Sequence, residues 1–426
     1  MSIYSGDVNT RILEPVSHSN RRSEFRLIDD EVYLSNIRLI NVGADTPAKQ
    51  GANGAIGLPC VINSIHLYSG NQLLDQVTDF AMWECFKGVN HENSVQASIR
   101  RENDGSLFGF EAQGDSTWDA VDEGPNREGI KQSSVNIDGY MGFDSSIPAN
   151  TAWVSLKEVF GFLKSSMVVP TNILRNLRLV INYNTLAQLN QVASDNSNAS
   201  FEILRPLLVV DEMNESPQRS ASMSSYRGVT YESVENDRVR ESEVEGPADG
   251  KASYEHTYLL NGFNQKYVDK FVVALQPQTP STWISEVDAG LNNELVASLG
   301  SIACADARFQ FRVNGSNKFT GCSLEGKMKR LGYVVDYCGD MNIPVGGNYT
   351  EITNTNISQS ADFVGHLDYT SCPIQEYVNE FKLTFGRSGV GATGNITANQ
   401  PLLINCFGLV RKNLVVNNDG SFIITY

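Results

Sequence analysis

The sequence predicts an all-β protein with a few short helices, built from two similar domains of the sandwich or jelly-roll type. Short apolar runs alternate with clusters of Gly, Asn, Asp and Ser, as in VYLSNIRLINVG (32–43) and RFQFRVNGSNKF (308–319). Such runs are typical of strands joined by turns. The same order of elements occurs in both halves of the chain, which indicates a duplicated domain. Many short strands with few helices favour a sandwich or a jelly roll.

The first half contains a predicted hairpin, a long loop and a predicted helix. In CVINSIHLYSGNQLLDQV (60–77), the turn residues Ser69-Gly70-Asn71 lie between two apolar runs and predict a hairpin. The polar region at about 91–150 is longer than an ordinary connection and is predicted to be an interaction loop. In VSLKEVFGFLKSS (154–166), apolar residues recur at helical intervals and predict a helix, with Pro170 marking its end.

LRPLLVVDEM (204–213) is predicted to be the last strand of the first domain. Pro206 suits the beginning or edge of a strand because proline has no N–H to donate. The continuous apolar run 207–210 is typical of a strand that is covered on both faces. We expect Asp211 and Glu212 to mark the point where the chain leaves the core and enters a polar linker.

The second half repeats this order of elements. Predicted strands and apolar segments lie at 227–237, 256–264, 266–277, 308–319, 399–416 and 420–426. Asn314-Gly315 predicts a tight hairpin. A helix is expected within 282–300, and 372–387 is predicted to run from a short helix-like piece into a strand. An LxL strand, a polar loop and a Pro-Leu-Leu strand occur in each half, as NLRLVINY with LRPLLVVDEM and as EFKLTFGR with NQPLLINCFG.

The repeated order predicts where the chain divides. The predicted parts are an N-terminal arm (1–25), a first domain (26–213) with its long loop at about 91–150, a linker (214–226) and a second domain (227–426).

Composition excludes several classes of protein. Apolar residues make up 41% of the chain and charged residues 19%, which is normal for a globular protein and excludes a wholly disordered one. The formal net charge is −16, whereas a protein that coats nucleic acid needs a basic surface. No specific nucleic-acid binding is therefore expected, although Arg21-Arg22 form a local basic spot. No apolar run approaches about 18 residues, so no transmembrane helix is expected.

The cysteines indicate a reducing compartment. The seven cysteines are scattered, none belongs to a CxxC pair, and their spacings fit no zinc site. Buried free thiols are the expected state. The polar N-terminal stretch lacks a signal-peptide core, so we expect synthesis in a cytosol-like compartment.

No residue pattern specifies a reaction, a cofactor or a metal. Asp211 and Glu212 are adjacent on a predicted strand and point to opposite faces, so they are poor partners for two-carboxylate hydrolysis. The histidines lie far apart without an HxH or HExxH pattern, and His66 alternates within a strand as a structural residue does. GRSGVGATGN (386–395) lacks the Lys-Ser/Thr of a phosphate-binding loop. The prediction is a protein that is not an enzyme, with no catalytic, cofactor-binding or metal-binding residues.

In their order and spacing, several segments resemble the double jelly-roll major capsid proteins of tailless icosahedral DNA viruses, especially those of the polinton-like virus and virophage group. The segments that carry the resemblance are VYLSNIRLINVG, SIHLYSGNQLLDQ, WVSLKEVFGFL, NLRLVINYNT, LRPLLVVDEM and VRKNLVVNNDGSFIITY. They cover most of the chain, and the first half matches more specifically. The resemblance implies two tandem eight-stranded jelly rolls that stand perpendicular to the surface of a capsid.

The resemblance also implies partners and a location. The chain would self-assemble into homotrimeric pseudo-hexagonal capsomers, which contact neighbouring capsomers, vertex (penton) proteins and minor capsid proteins in an icosahedral shell. Tower loops would fall within about 91–150, 276–300 and 340–360, and the N-terminal arm would reach towards neighbours. The protein would reside in the virion after assembly inside the infected host cell.

Two alternatives of another class stay open. A two-jelly-roll hydrolase acting on glycans needs acids clustered in a cleft between the domains and is expected to be secreted with disulfides. A lectin-like binding protein predicts aromatic residues at loop tips, where Trp118 and Trp283 are candidates.

Overall fold

The computed structural model describes residues 8–45, 61–80, 83–84, 152–184, 202–241, 253–277, 307–318, 324–325, 369–388, 402–417 and 419–426. Within these residues, each half of the chain contains two main antiparallel sheets. The predicted tower loops at about 91–150 and 340–360, most of 276–300, the expected helix at 282–300 and both loop tryptophans lie outside the described residues.

The strands of the first half are β1 (Val8–Leu13), β2 (Ser17–His18), β3 (Arg22–Arg26), β4 (Val32–Leu34), β5 (Arg38–Val42), β6 (Ala44–Asp45), β7 (Ile62–Ser69), β8 (Gln72–Thr78), β9 (Ala152–Ser155), β10 (Val168–Pro170), β11 (Leu177–Tyr183), β12 (Glu202–Ile203) and β13 (Leu207–Met213). One sheet has the order β10-β4-β13-β5-β9, with β1 also paired to β13, and the other has the order β2-β3-β11-β7-β8. Strands β6 and β12 form a small separate pair. Much of the stretch predicted as an N-terminal arm therefore pairs with strands of the first half.

The strands of the second half are β14 (Gly228–Glu241), β15 (Ser253–Leu259), β16 (Lys266–Pro277), β17 (Ala307–Val313), β18 (Ser316–Asn317), β19 (Leu324–Glu325), β20 (Tyr369–Val378), β21 (Phe381–Ser388), β22 (Leu402–Val416) and β23 (Phe422–Thr425). One sheet has the order β14-β22-β16-β20, with β23 paired to β22. The other has the order β15-β21-β17-β18, with β19 paired to β17. A single-turn 3-10 helix spans Asn261–Phe263.

The alternation of apolar residues explains how the sheets stack. In β7, Ile65 and Leu67 are buried while His66 and Tyr68 are partly exposed, as the two-residue period of a strand requires. Residues of both first-half sheets share one hydrophobic cluster, and residues of both second-half sheets form another. Each half is thus a sandwich that buries its inward-facing side chains.

Both predicted hairpins are confirmed. Strands β7 and β8 are joined at Gly70-Asn71, and Gly70 has a φ of 57°. Strands β17 and β18 are joined at Asn314-Gly315, where both residues have positive φ, as a type I′ turn requires.

The predicted helix over 154–166 is wrong in its extent. Strand β9 continues to Ser155, and two short helices follow, α1 (Leu156–Val159) and α2 (Gly161–Ser165). Phe160 between them has an extended backbone with φ −100° and ψ 121°, and its side chain is fully buried. Burial of this ring interrupts the helical pattern, and Pro170 ends strand β10 instead of a helix.

One further prediction of local structure is wrong. The helix-like piece at the start of 372–387 is part of strand β20, because Cys372, Ile374 and Val378 all enter the core of the second half. The polar linker contains a helix, α3 (Pro217–Ser225), whose cap residue Ser216 accepts a hydrogen bond from the Arg219 amide at 3.1 Å.

Candidate functional site

The two halves meet at an interface, here called the seam, which is formed by β8 and α2 of the first half and by β14 and β22 of the second. The rings of Phe162 and Tyr231 meet edge to face at 5.5 Å, and those of Trp83 and Phe407 lie 5.6 Å apart. All four belong to the first hydrophobic cluster, which therefore extends across the seam. A shared apolar core joins the halves far more firmly than a polar domain contact does.

A glycine sets the distance between α2 and β14. A Cβ atom added to Gly161 would lie 1.6 Å from the carbonyl oxygen of Glu232 and 2.7 Å from its carbonyl carbon. No side chain fits in that space without moving the backbone of one of the two elements. The first residue of α2 must therefore be glycine for the halves to approach this closely.

A buried carboxylate lies at the centre of the seam. The side chain of Asp75 accepts hydrogen bonds from the Phe162 amide at 2.8 Å, from the Ser233 hydroxyl at 2.6 Å and from the Gln76 amide at 2.8 Å. Asp75 is 1% exposed and Ser233 is fully buried. One carboxylate therefore connects β8, α2 and β14 through uncharged donors.

The charge of Lys412, which belongs to the second half, acts on this carboxylate. Lys412 on β22 is also almost fully buried, and its ammonium lies 2.8 Å from the carboxylate of Glu235. Burial raises the pKa of Asp75 from 3.8 to about 6, while its hydrogen bonds and the charge of Lys412 act in the opposite direction.

Further polar contacts connect the halves at other points of the seam. The Tyr231 hydroxyl donates to the carbonyl oxygen of Leu74. Asp79, just after β8, accepts from the side chains of Asn236 and Arg238 on β14. Sequence reasoning missed this interface, although Gly161 inside a helical pattern and Asp75 inside an apolar strand were its visible signals.

Asp211 and Glu212 lie inside the first half, so the expectation that they mark the exit from the core is wrong. Strand β13 continues past both to Met213, and both are about 6% exposed. Asp211 accepts hydrogen bonds from Thr10 and Asn36 at 2.6 Å and from Arg38 at 2.9 Å. The sequence could not reveal these partners because they lie more than about 170 positions away.

Glu212 pairs with a different set of residues. Its carboxylate lies 2.8 Å from the guanidinium of Arg11 on β1. Burial and the nearby charge of Glu31 raise its pKa. Each acid therefore ties an arginine of another strand to β13, and the two do not act as a pair.

Replacing Asp211 with alanine is expected to destabilise the protein by about 2 kcal/mol, because Arg38, Asn36 and Thr10 lose a shared charged acceptor. Denaturant unfolding would measure this loss. The matched control is Glu14→Ala, since Glu14 forms a largely exposed ion pair with Arg205 at 2.7 Å. Its loss should lower the free energy of unfolding by less than about 0.5 kcal/mol. Equal stability of the two variants would contradict a structural role for Asp211.

Other candidate chemistry is sparse in the described part of the chain. Cys372 and Cys406 are buried in the core of the second half. His66 has a lowered pKa because of burial, and its ring contacts the Ser64 hydroxyl at 3.1 Å. Among the described residues, no group of three or more His, Cys, Asp or Glu could hold a metal ion. No helix in that part is long and apolar enough to cross a membrane.

Comparisons with known proteins define the fold. No protein-family model and no curated protein matches the sequence. The crystal structure of the mavirus major capsid protein matches with a TM-score of 0.53 and 9% identity, over 100% of this chain and 92% of that chain. PBCV-1 VP54, fitted into a reconstruction of the virophage Sputnik, matches with a TM-score of 0.56 and 12% identity, over 100% and 99%. The Faustovirus major capsid protein matches with a TM-score of 0.52 and 7% identity, over 96% and 90%.

The chain therefore has the double jelly-roll fold, as the sequence predicted. Its architecture is similar to that of PBCV-1 VP54 and of the mavirus and Faustovirus major capsid proteins along nearly the whole length of both chains.

Proposed function

We propose that the protein is a major capsid protein, which self-assembles as a homotrimer into the pseudo-hexagonal capsomers of an icosahedral DNA-virus shell. The observation that carries this proposal is the match of both jelly rolls, in order and over nearly full length, to capsid proteins. A fold alone hosts many functions. The seam adds a second argument, because a shell subunit needs two jelly rolls held as one unit.

The seam also weighs against the glycan hydrolase. That alternative needs acids facing solvent in a cleft between the domains. The acid at the centre of the seam, Asp75, is buried under the Phe162 amide and the Ser233 hydroxyl. Asp79, at another point of the seam, is bonded to the side chains of Asn236 and Arg238. In the described part of the seam, a sugar chain could not reach its carboxylate.

The proposal includes finer assignments. The two jelly rolls would span 26–213, with β1, β2 and β3 of the preceding arm added to the sheets of the first, and 227–426, joined by 214–226. The capsomers would contact vertex and minor capsid proteins, and the protein would reside in the virion after assembly inside the host cell. Loops at about 91–150, 276–300 and 340–360 would form the towers. A shell subunit of this kind needs no catalytic residue, cofactor or metal.

Purified protein is expected to behave as a trimer because closed assemblies reuse one interface. Light scattering after gel filtration should give about three times the chain mass of 46.9 kDa at two protein concentrations. Negative-stain images of that species should show a hexagonal outline. A monomer that persists at the higher concentration would contradict the capsomer.

A further inference from the structure

We propose that the seam is a proton-sensitive joint, in which a proton on Asp75 strengthens the docking of the two jelly rolls. The inference does not depend on the shell function, since it concerns contacts inside one chain. It rests on the position of one carboxylate between two domains and on the groups that surround it.

The geometry makes Asp75 the link between the halves. One carboxylate oxygen accepts from Phe162 at 2.8 Å and the other from Ser233 at 2.6 Å. The first donor belongs to α2 of the first half and the second to β14 of the second half. Any separation of the jelly rolls would break the contact with Ser233 and admit water to the carboxylate. Docking of the halves and desolvation of this acid are therefore coupled.

The charged and polar groups that surround Asp75 come from β14, β22 and α2. Strand β14 presents the Tyr231 hydroxyl and the Glu235 carboxylate, and β22 presents the Lys412 ammonium. The Tyr426 ring lies 5.3 Å from that ammonium. Helix α2 contributes the Phe162 amide, and its Lys164 is exposed. Glu235 pairs with Lys412 at 2.8 Å, and the charge of that ammonium also lowers the pKa of Asp75.

The burial of Asp75 determines the direction in which stability changes with pH. Burial raises the pKa of Asp75 from 3.8 to about 6 in the folded protein. The folded state therefore binds the proton more tightly than the unfolded state does. The resulting stabilisation is complete below pH 3.8 and is lost as the pH rises through about 6. The joint is firmer under mildly acidic conditions and weaker at neutral pH.

Denaturant unfolding of the full chain and of Asp75→Asn tests the joint. An asparagine can still accept from the Ser233 hydroxyl and the Gln76 amide through its one oxygen. It loses the contact with the Phe162 amide, which costs stability equally at every pH, and it carries no titrating proton. The ratio of the wild-type to the variant unfolding constant should rise about tenfold between about pH 5 and about pH 7.5. Other acids of the seam are present in both proteins, so their contributions to the pH dependence cancel in this ratio. One of them is Glu232, whose pKa is also raised by burial and by Asp269. A constant ratio would overturn the proposal.

Two further variants complete the test. Asp30→Asn removes an exposed carboxyl and keeps a residue that tolerates the φ of 63° at that position. The ratio of the wild-type to the Asp30→Asn unfolding constant should therefore stay constant over the same pH range. Ser233→Ala removes a donor that favours the charged carboxylate. In a plot of the free energy of unfolding against pH, the bend for this variant should therefore lie at a higher pH than that of wild type. If Asp75→Asn does not fold, an unchanged bend in Ser233→Ala would overturn the proposal by itself.

Discussion

Gly161→Ala is expected to destabilise the protein by about 3 kcal/mol, because the added methyl group cannot fit between α2 and β14. Local propensity acts in the opposite direction, since alanine favours a helix over glycine by about 1 kcal/mol. The position of the Glu232 carbonyl oxygen, 1.6 Å from the new atom, decides the sign. Denaturant unfolding would measure the loss, and hydrogen exchange in β8 and β14 would localise it to the seam.

Ser165→Ala is the matched control for this prediction. Ser165 is exposed at the end of the same helix, so the same new side chain there should change stability by less than about 0.5 kcal/mol. A Gly161→Ala variant as stable as this control would mean that α2 and β14 are not in close contact in solution.

Phe271→Ala is expected to destabilise the second jelly roll by about 4 kcal/mol, since it leaves a large cavity in the core. The Phe271 ring is fully buried and packs against the rings of Phe263 at 5.5 Å, Phe311 at 5.2 Å and Phe381 at 4.5 Å. These side chains come from both second-half sheets and from the 3-10 helix. Loss of the Phe271 ring therefore weakens the packing of both sheets and of the helix.

Thiol labelling would report this loss directly. Cys372 and Cys406 are buried in the same cluster and should react faster in the variant, as mass spectrometry of the labelled peptides would detect. The control is Tyr377→Ala on β20, because Tyr377 is 45% exposed and its removal opens no cavity. Equal labelling rates in the two variants would contradict the central position of Phe271.

Much of the fold could be predicted from the sequence because its signals are local. The hairpins at Gly70-Asn71 and Asn314-Gly315 follow from residues that tolerate positive φ. The strands follow from a two-residue alternation that any short window displays. The duplicated order of elements followed from comparing one half of the chain with the other. None of these signals requires knowledge of a distant partner.

Tertiary contacts overrode local signals where a side chain had a distant partner. The helical period of 154–166 is broken because the Phe160 ring enters the core. The acids of LRPLLVVDEM predicted the point where the chain leaves the core, but ion pairs with arginines on β1 and β5 keep them inside the sheet. Local sequence contains no information about partners that are so far away along the chain.

The sequence by itself determined the β-class, the turns and the presence of two related halves. Only the tertiary structure decided how those halves join. Between Leu67 and Tyr68 the register with β8 shifts by one residue, so Leu74 and Asp75 are both buried although they are adjacent in the strand. That bulge directs a carboxylate into the seam, where Phe162 and Ser233 meet it. The physical reason is that a bulge and a domain contact depend on paired backbones, whereas turns and periodicity depend on a single stretch of chain.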